Sequence, residues 1–281
     1  MTIIVDSGSS KARWAIAGDP WRYVTTQGLN PRLASDEVFH AVIGTVCEHI
    51  DDTSACQRVT FYGAGCGTAA MQERVRRLLQ AHFPAATVTV ESDMLGACRA
   101  LCGDQPGTVA ILGTGSNACR YDGTRIVHQG VSVGYLLGDE GSGNHIGRRL
   151  MKDYLVNRMP ADLSQQMTEQ YRETREIMMH RLYSEPFPNR YLASFAPFAA
   201  EHRHHPYVQE LLHSVFTTFW NDVVAPVVDG GPVHFAGGVA ATFTKEIAQA
   251  APAGYRVGRV LQEPLDGLVG NIAGKRTPPT Q

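Results

Sequence analysis

The chain lacks the signatures that announce the commonest nucleotide and metal chemistries. No Gly-Lys-Ser or Gly-Lys-Thr occurs, so there is no P-loop, and the glycine runs at Gly138 and Gly237 do not follow the Rossmann spacing. The six cysteines, Cys47, Cys56, Cys66, Cys98, Cys102 and Cys119, form no CxxC pair of zinc-finger spacing. Cys98 and Cys102, at i and i+4 of an expected helix, read as small apolar side chains of a reduced protein. The sharper alternative is a ligand pair for a metal or an iron–sulfur cluster. Charge of one sign is not in excess: the net value is −2, which argues against nucleic acid or an anionic membrane as the main partner. No apolar run approaches the ~20 residues of a spanning helix, and no basic stretch leads into an apolar one at the N-terminus. A cytoplasmic protein is therefore expected. What remains is a composition with 43% hydrophobic and 19% charged residues, that of a soluble globular enzyme rather than a disordered chain.

Apolar patterning divides the 281 residues into two related halves. Strands are expected at Thr2–Val5, Lys11–Ala17 and Tyr23–Thr25, with connections short enough to make them antiparallel. A helix follows over Glu37–Ile50, with Val38, Val42, Val46 and Ile50 on one face. Then come a strand at Arg58–Tyr62, a helix at Ala69–His82, a strand at Thr87–Val90 and a helix at Met94–Leu101. The opening pattern restarts with strands at Thr108–Leu112, Ala118–Tyr121 and Arg125–His128, which reads as an internal duplication and hence two lobes. From His145 to Val224 the chain is mostly helical, with helices expected over Ile146–Arg158, Asn189–His202 and Pro206–Val224. A last strand, Val233–Phe235, leads to a helix from about Thr242. The expected domains are 1–107, joined by a returning C-terminal helix over 262–274, and 108–261 with a helical insertion. A disordered tail is expected from Lys275. No linker rich in Pro, Gly or Ser separates the lobes, so a hinge is expected between them.

Two turns carry the chemistry. Asp6-Ser7-Gly8-Ser9-Ser10 follows the strand Ile3-Ile4-Val5, and Gly113-Thr114-Gly115-Ser116-Asn117 follows Val109-Ala110-Ile111-Leu112. Glycines and hydroxyls at such a turn let backbone N–H groups face a small anion. Two of them suggest a nucleotide phosphate chain gripped from both sides, with Asp6 holding the metal ion. Asp6 reads alternatively as a simple Asx turn, and Lys11 as either a phosphate contact or, preferably, a solvated strand residue. Gly237-Gly238, after Val233–Ala236, would let a nucleobase or ribose approach the backbone, or would serve tight strand-to-helix packing. Asp93, at a strand's carboxyl end, reads as a general base or as an acid at a helix N-terminus. In the run Gly134–Gly143, Asp139 could accept from sugar hydroxyls and Tyr135 could stack on an apolar sugar face. The alternative is a flexible loop. His202, His204 and His205 read as solvated cations at a helix C-terminus rather than a metal cluster.

Taken together, Asp6-Ser-Gly-Ser-Ser, Leu112-Gly-Thr-Gly-Ser-Asn, Gly138-Asp-Glu-Gly-Ser and Ala236-Gly-Gly-Val resemble the N-acetylglucosamine kinases. These belong to the BadF/BadG/BcrA/BcrD-type branch of the sugar kinase, Hsp70 and actin superfamily. The motifs occur in the family's order over nearly the whole chain. Pro188-Asn-Arg-Tyr-Leu-Ala-Ser-Phe is similar to a bacterial sub-branch. The resemblance implies an α/β fold of two ribonuclease H-like, actin-like ATPase lobes with mixed sheets. It implies that Asp6, Ser7, Gly8, Ser9 and Ser10 form the first phosphate loop and that Gly113, Thr114, Gly115 and Ser116 form the second. Gly237 and Gly238 would form the adenosine loop. Asp93 would be the catalytic base, and Asn30, Asn117, Gly134, Tyr135 and Asp139 would join it in contacting the sugar. ATP, Mg²⁺ and a homodimer are implied as well. Tyr135 stands where the animal enzymes have tryptophan, and Gly63-Ala-Gly-Cys-Gly replaces their Ser-Gly-Gly. Both changes touch the sugar pocket, so glucosamine, a muramic acid derivative or another hexose stays open beside N-acetylglucosamine.

The activity so implied is phosphoryl transfer from ATP to an amino-sugar hydroxyl. One rival is an ATP-driven activator of a dehydratase, which needs an iron–sulfur cluster held by paired cysteines; Cys119 follows the second loop without a convincing partner. The other is a sugar-sensing binding protein without catalysis. Such proteins carry a DNA-binding domain, and a first strand starting at Thr2 leaves no room for one.

Overall fold

The computed structural model describes residues 1–274, so the tail expected from Lys275 lies outside the described residues. The chain forms two compact units. The first holds Met1–Gln105, Gly123–Arg125 and the segment from Glu263; the second holds Pro106–Asp122 and Ile126–Gln262.

In the first unit the elements are β1 (Thr2–Ser7), β2 (Lys11–Ile16), β3 (Arg22–Gln27), α1 (Asp36–Cys47), β4 (Arg58–Gly63), α2 (Ala69–His82), β5 (Thr87–Ser92) and α3 (Asp93–Cys102). The sheet order is β3-β2-β1-β4-β5. β1–β2 and β2–β3 are antiparallel, and β1–β4 and β4–β5 are parallel. Ile3, Ile4 and Val5 are all buried, as expected of a central strand covered on both faces. Side-chain caps set two helix starts: Thr68 accepts from the Met71 N–H (3.4 Å) and Ser92 from the Leu95 N–H (3.2 Å). The helix α1 buries Phe39, Val42, Ile43 and Val46 and stops at Cys47, short of the Ile50 end expected.

The second unit opens with β6 (Gly107–Leu112), β7 (Ser116–Tyr121) and β8 (Ile126–Gln129). Its helical stretch contains α4 (Gly134–Leu137), α5 (Gly143–Leu155), α6 (Ala161–Tyr171), α7 (Arg175–Ser184), α8 (Pro188–Ala193), α9 (Ala196–Glu201) and α10 (Pro206–Phe219). It closes with β9 (Gly231–Ala236), α11 (Gly238–Thr242), α12 (Thr244–Gln249) and β10 (Tyr255–Leu261). The sheet order β10-β9-β6-β7-β8 repeats the first unit's topology strand for strand. Three antiparallel strands meet two parallel ones in each. The duplication expected from the sequence is thus an architectural one. The last helix, α13 (Pro264–Gly274), belongs to the first unit and packs on α3. There Glu263 pairs with Lys11 and Arg13, Asp266 lies 3.1 Å from Arg13, and Asn271 Nδ2 donates to the Arg99 carbonyl at 2.6 Å.

Several expectations need correcting. The helix expected over Asn189–His202 is two short ones, because Pro197 lacks the N–H that would continue the first into the second. The helix from Pro206 ends at Phe219 and continues as a wider turn over Trp220–Val224, where the Ala225 N–H reaches the Trp220 carbonyl at 2.9 Å. Val233–Phe235 is not in the last strand: β10 follows it at the edge of the sheet, with an irregular register between Val257 and Val260. Lys11 is ion-paired with Glu263 rather than merely solvated. His205 does not close a helix. It opens α10, its Nδ1 accepting from the Tyr207 N–H at 3.1 Å. Among the described residues, no group of three His, Cys, Asp or Glu side chains could hold a metal ion. No described helix is long and apolar enough to cross a membrane.

Candidate active site

In the first unit, the strand register aligns Ser7, Gly63 and Ser92 across β1, β4 and β5. The carboxyl ends of three parallel neighbours therefore present Asp6, the Gly63–Gly67 turn and Asp93 along one sheet edge. Ligands of α/β sheets bind at such an edge. Asp93 is the first residue of α3, and its Oδ1 accepts the Met94 N–H at 2.9 Å. Burial raises its pKa, and the backbone N–H groups pull it partly back. Burial, then the charge of Asp93, push Asp6 from 3.8 to about 7 against the opposing pull of Arg13 and Lys11. Cys66, fully buried, is pushed up to about 12 by burial and by Asp93. A thiol held so firmly protonated is inert as a nucleophile.

The first turn is stitched to the chain leaving β3. The Ser7 Oγ accepts the Leu29 N–H (2.8 Å) and donates to the Leu29 carbonyl (3.3 Å). The Gly28 N–H donates to the Ser10 carbonyl (3.1 Å), and Asn30 Nδ2 donates to Ser9 Oγ (3.2 Å). Ser7 is thus spent inside the unit, which leaves Gly8, Ser9 and Ser10 as the part of the turn facing outward. Asn30 is held further: its Oδ1 accepts the Arg32 N–H at 2.9 Å. Gly65, at φ +81°, lies so close that a Cβ there would fall 2.2 Å from the Asn30 Oδ1.

The second unit brings Gly113–Ser116 and Gly237-Gly238 together at the carboxyl ends of the parallel pair β6 and β9. Gly237 sits at φ +119°, and a Cβ on it would be 2.3 Å from the Leu112 carbonyl oxygen. A Cβ on Gly113 or Gly238 would meet nothing within 4 Å, so the side-chain position of each is open. Asp139, at φ +61°, leans onto the turn: the Ser116 N–H donates to its Oδ1 at 3.3 Å. Burial raises the Asp139 pKa, while the Ser116 and Asn144 bonds and the Arg148 charge lower it. Asn117 turns its Oδ1 to the Ala118 N–H (2.8 Å). Gly134 and Tyr135 are not in an irregular loop but in the one-turn helix α4, whose Tyr135 carbonyl accepts from Arg148 at 2.7 Å.

Two residues escaped the sequence reading. Asn144 and His145 open α5 and are buried. The His145 Nδ1 accepts the Gly141 N–H at 3.1 Å, and burial with Arg148 and Arg149 lowers its pKa to about 4. The signal was available, since a polar pair directly after Gly141-Ser142-Gly143 continues the densest glycine run.

The donor set suits a nucleotide and its metal. In each unit taken by itself, backbone amides and hydroxyls at a glycine turn can face phosphate oxygens. Asp6 offers one hard oxygen ligand, the kind of single protein contact Mg²⁺ takes beside phosphates and water. The mutual repulsion of Asp6 and Asp93 is what a cation there would relieve.

No protein-family model and no curated protein matches the chain. Solved structures do. A Porphyromonas gingivalis protein, provisionally assigned as an N-acetylglucosamine kinase, is 36% identical, with 99% of this chain and 100% of that one covered, at a TM-score of 0.90. A Chromobacterium violaceum protein with the same provisional assignment is 18% identical over 96% of this chain and 98% of its own, at 0.71. A glucokinase of the ROK family from Streptomyces griseus, solved with glucose and AMPPNP, shares the fold at 15% identity and 0.56, covering 96% of this chain and 97% of that one. With the duplicated sheets, the glycine turns and a relative matched end to end, the chain belongs to the N-acetylglucosamine kinase-like family of the sugar kinase, Hsp70 and actin superfamily.

Proposed function

We propose that this protein is an ATP- and Mg²⁺-dependent kinase that phosphorylates a hydroxyl of an amino sugar, with N-acetylglucosamine as the acceptor. The observation that carries the reading is Asp93. It is a carboxylate of raised proton affinity at the carboxyl edge of β5, in a chain matched over its length by a protein provisionally assigned to that activity. Asp93 takes the acceptor proton as the acceptor oxygen bonds to the γ-phosphorus. The bond from that phosphorus to the β–γ bridging oxygen breaks, and ADP leaves. A base whose pKa is raised toward the working pH is matched to this step. In each unit the glycine turn, Gly8–Ser10 or Gly113–Ser116, is the part that meets phosphate, although the Gly8 and Gly113 N–H groups are themselves bonded to the Lys11 and Gly115 carbonyls. Gly237 and Gly238 leave room for the adenosine. Asp6 is the residue that would hold Mg²⁺, which when bound would supply positive charge to the phosphates. Asn30, held by Ser9 and Arg32, and Asp139 take the sugar hydroxyls.

The test is ADP release against a panel of amino sugars and their N-acetyl forms, with the phosphorylated product identified. Turnover with N-acetylglucosamine above all others is expected. Absence of sugar-dependent ADP release across the panel would overturn the reading.

A further inference from the structure

We propose that Asn144 is a positioning residue that locks the Asp139 carboxylate to the Gly113–Ser116 turn, so that nucleotide and acceptor binding strengthen one another. This rests on the kinase reading above. Asn144 has no solvent exposure. Its Nδ2 donates to both the Thr114 carbonyl (2.7 Å) and Asp139 Oδ2 (3.0 Å), and its backbone N–H also reaches the Thr114 carbonyl (3.2 Å). The amide cannot be turned over, because both neighbours are acceptors.

Two costs fall on this spot. The Asn144 Oδ1 is buried with no donor, a penalty that an apolar side chain of similar size would avoid. Asp139 holds a left-handed backbone at φ +61°, a region uncommon for non-glycine residues although Asp enters it more readily than most. Gly115 completes the fit, since a Cβ there would stand 3.0 Å from both Asp139 carboxylate oxygens. Burial of apolar surface does not account for such an arrangement; a fixed carboxylate does.

The bonding pattern supplies the coupling. Asp139 Oδ1 takes the Ser116 N–H, a donor of the turn that the kinase reading assigns to phosphate, while Oδ2 is held by Asn144. A phosphate oxygen that draws on the Ser116 N–H frees Oδ1 for an acceptor hydroxyl. Asn144 keeps the carboxylate in place meanwhile. Reciprocity follows: an acceptor that engages Oδ1 frees the Ser116 N–H for phosphate.

Calorimetric titration of N-acetylglucosamine, with and without AMPPNP and Mg²⁺, tests this on the full chain. In the wild type the nucleotide should tighten sugar binding by about 5-fold or more, the lower end of ordinary allosteric couplings. In Asn144→Leu the ratio should fall to about one. If that variant does not fold, Asn144→Ala carries the test, since it removes the donor and adds neither charge nor bulk. A purely structural Asn144 would lower the unfolding temperature and leave the ratio alone. An unchanged ratio in a folded variant, or a ratio of one in the wild type, overturns the proposal. A wild type that phosphorylates no amino sugar fails the kinase reading instead, so the two failures are told apart.

Discussion

Asp6 should destabilise the metal-free protein at neutral pH, and removing its charge should make that visible. Burial and the Asp93 charge raise the Asp6 pKa from 3.8 to about 7. In the unfolded chain the group ionises near 3.8. Between the two values the unfolded state has lost a proton that the folded state retains, so stability falls as pH rises through this window. Above about 7 the loss is complete. At about 1.36 kcal/mol per pH unit it amounts to roughly 4 kcal/mol. Asp6→Asn, which has the same shape and no charge, should therefore be more stable than wild type by an amount of that order at pH 8.5, and equal to it below pH 4. Urea unfolding in a chelator, repeated across pH, measures the difference. Added Mg²⁺ should close the gap by stabilising the wild type alone. A gap below about 1 kcal/mol at pH 8.5, or one that persists unchanged at pH 4, would refute the account of Asp6 as a carboxylate held in wait for a cation.

Asp93→Asn should retain nucleotide binding and lose turnover by about 10²–10⁴-fold, as removal of a general base does; near-normal turnover in a steady-state assay would remove Asp93 from the mechanism. Gly65→Ala meets both a φ of +81° and the Asn30 side chain, so its KM for the sugar should rise with little change in the KM for ATP. Equal rises in both would show that Gly65 supports the whole unit rather than Asn30. His145, lowered to about 4 from 6.5, stays neutral when folded while the unfolded chain takes up a proton, so stability should fall by about 3 kcal/mol as pH drops from 6.5 to 4. His145→Gln should flatten that slope in urea titrations, and an unaltered slope would mean that other groups produce it.

Local chemistry explains which elements could be read in advance. The helix expected over Ala69–His82 spans those residues because an amphipathic face and the Thr68 cap agree on its start. The expected face of Val38, Val42, Val46 and Ile50 does meet the core, with Val38 only partly covered and Ile50 beyond the helix end at Cys47, since steps of four residues drift around a helix of 3.6 per turn. Phe39 and Ile43 complete the buried stripe beside Val42 and Val46. The strand β10 was missed because Arg256, Gly258 and Arg259 break its apolar alternation. An edge strand needs less of that alternation, and the duplication itself called for a fifth strand there. Among the candidate site residues, Asp6, Asp93 and the glycine turns could be located because each directly follows an apolar strand. The commitment of Ser7 to Leu29 and of Asp139 to Ser116 could not, since each bond joins segments about twenty residues apart.

Sequence alone determined the first unit's order of strands and helices, the repeat of one β-sheet plan and the family, because apolar period and glycine placement act through neighbours along the chain. Tertiary structure alone decided that Asp6 and Asp93 feel one another's charge, and that Asn144 stands buried between Thr114 and Asp139. Coulomb repulsion and desolvation depend on distance in space, and that distance exists only once the parallel strands have paired and α5 has seated against the second turn.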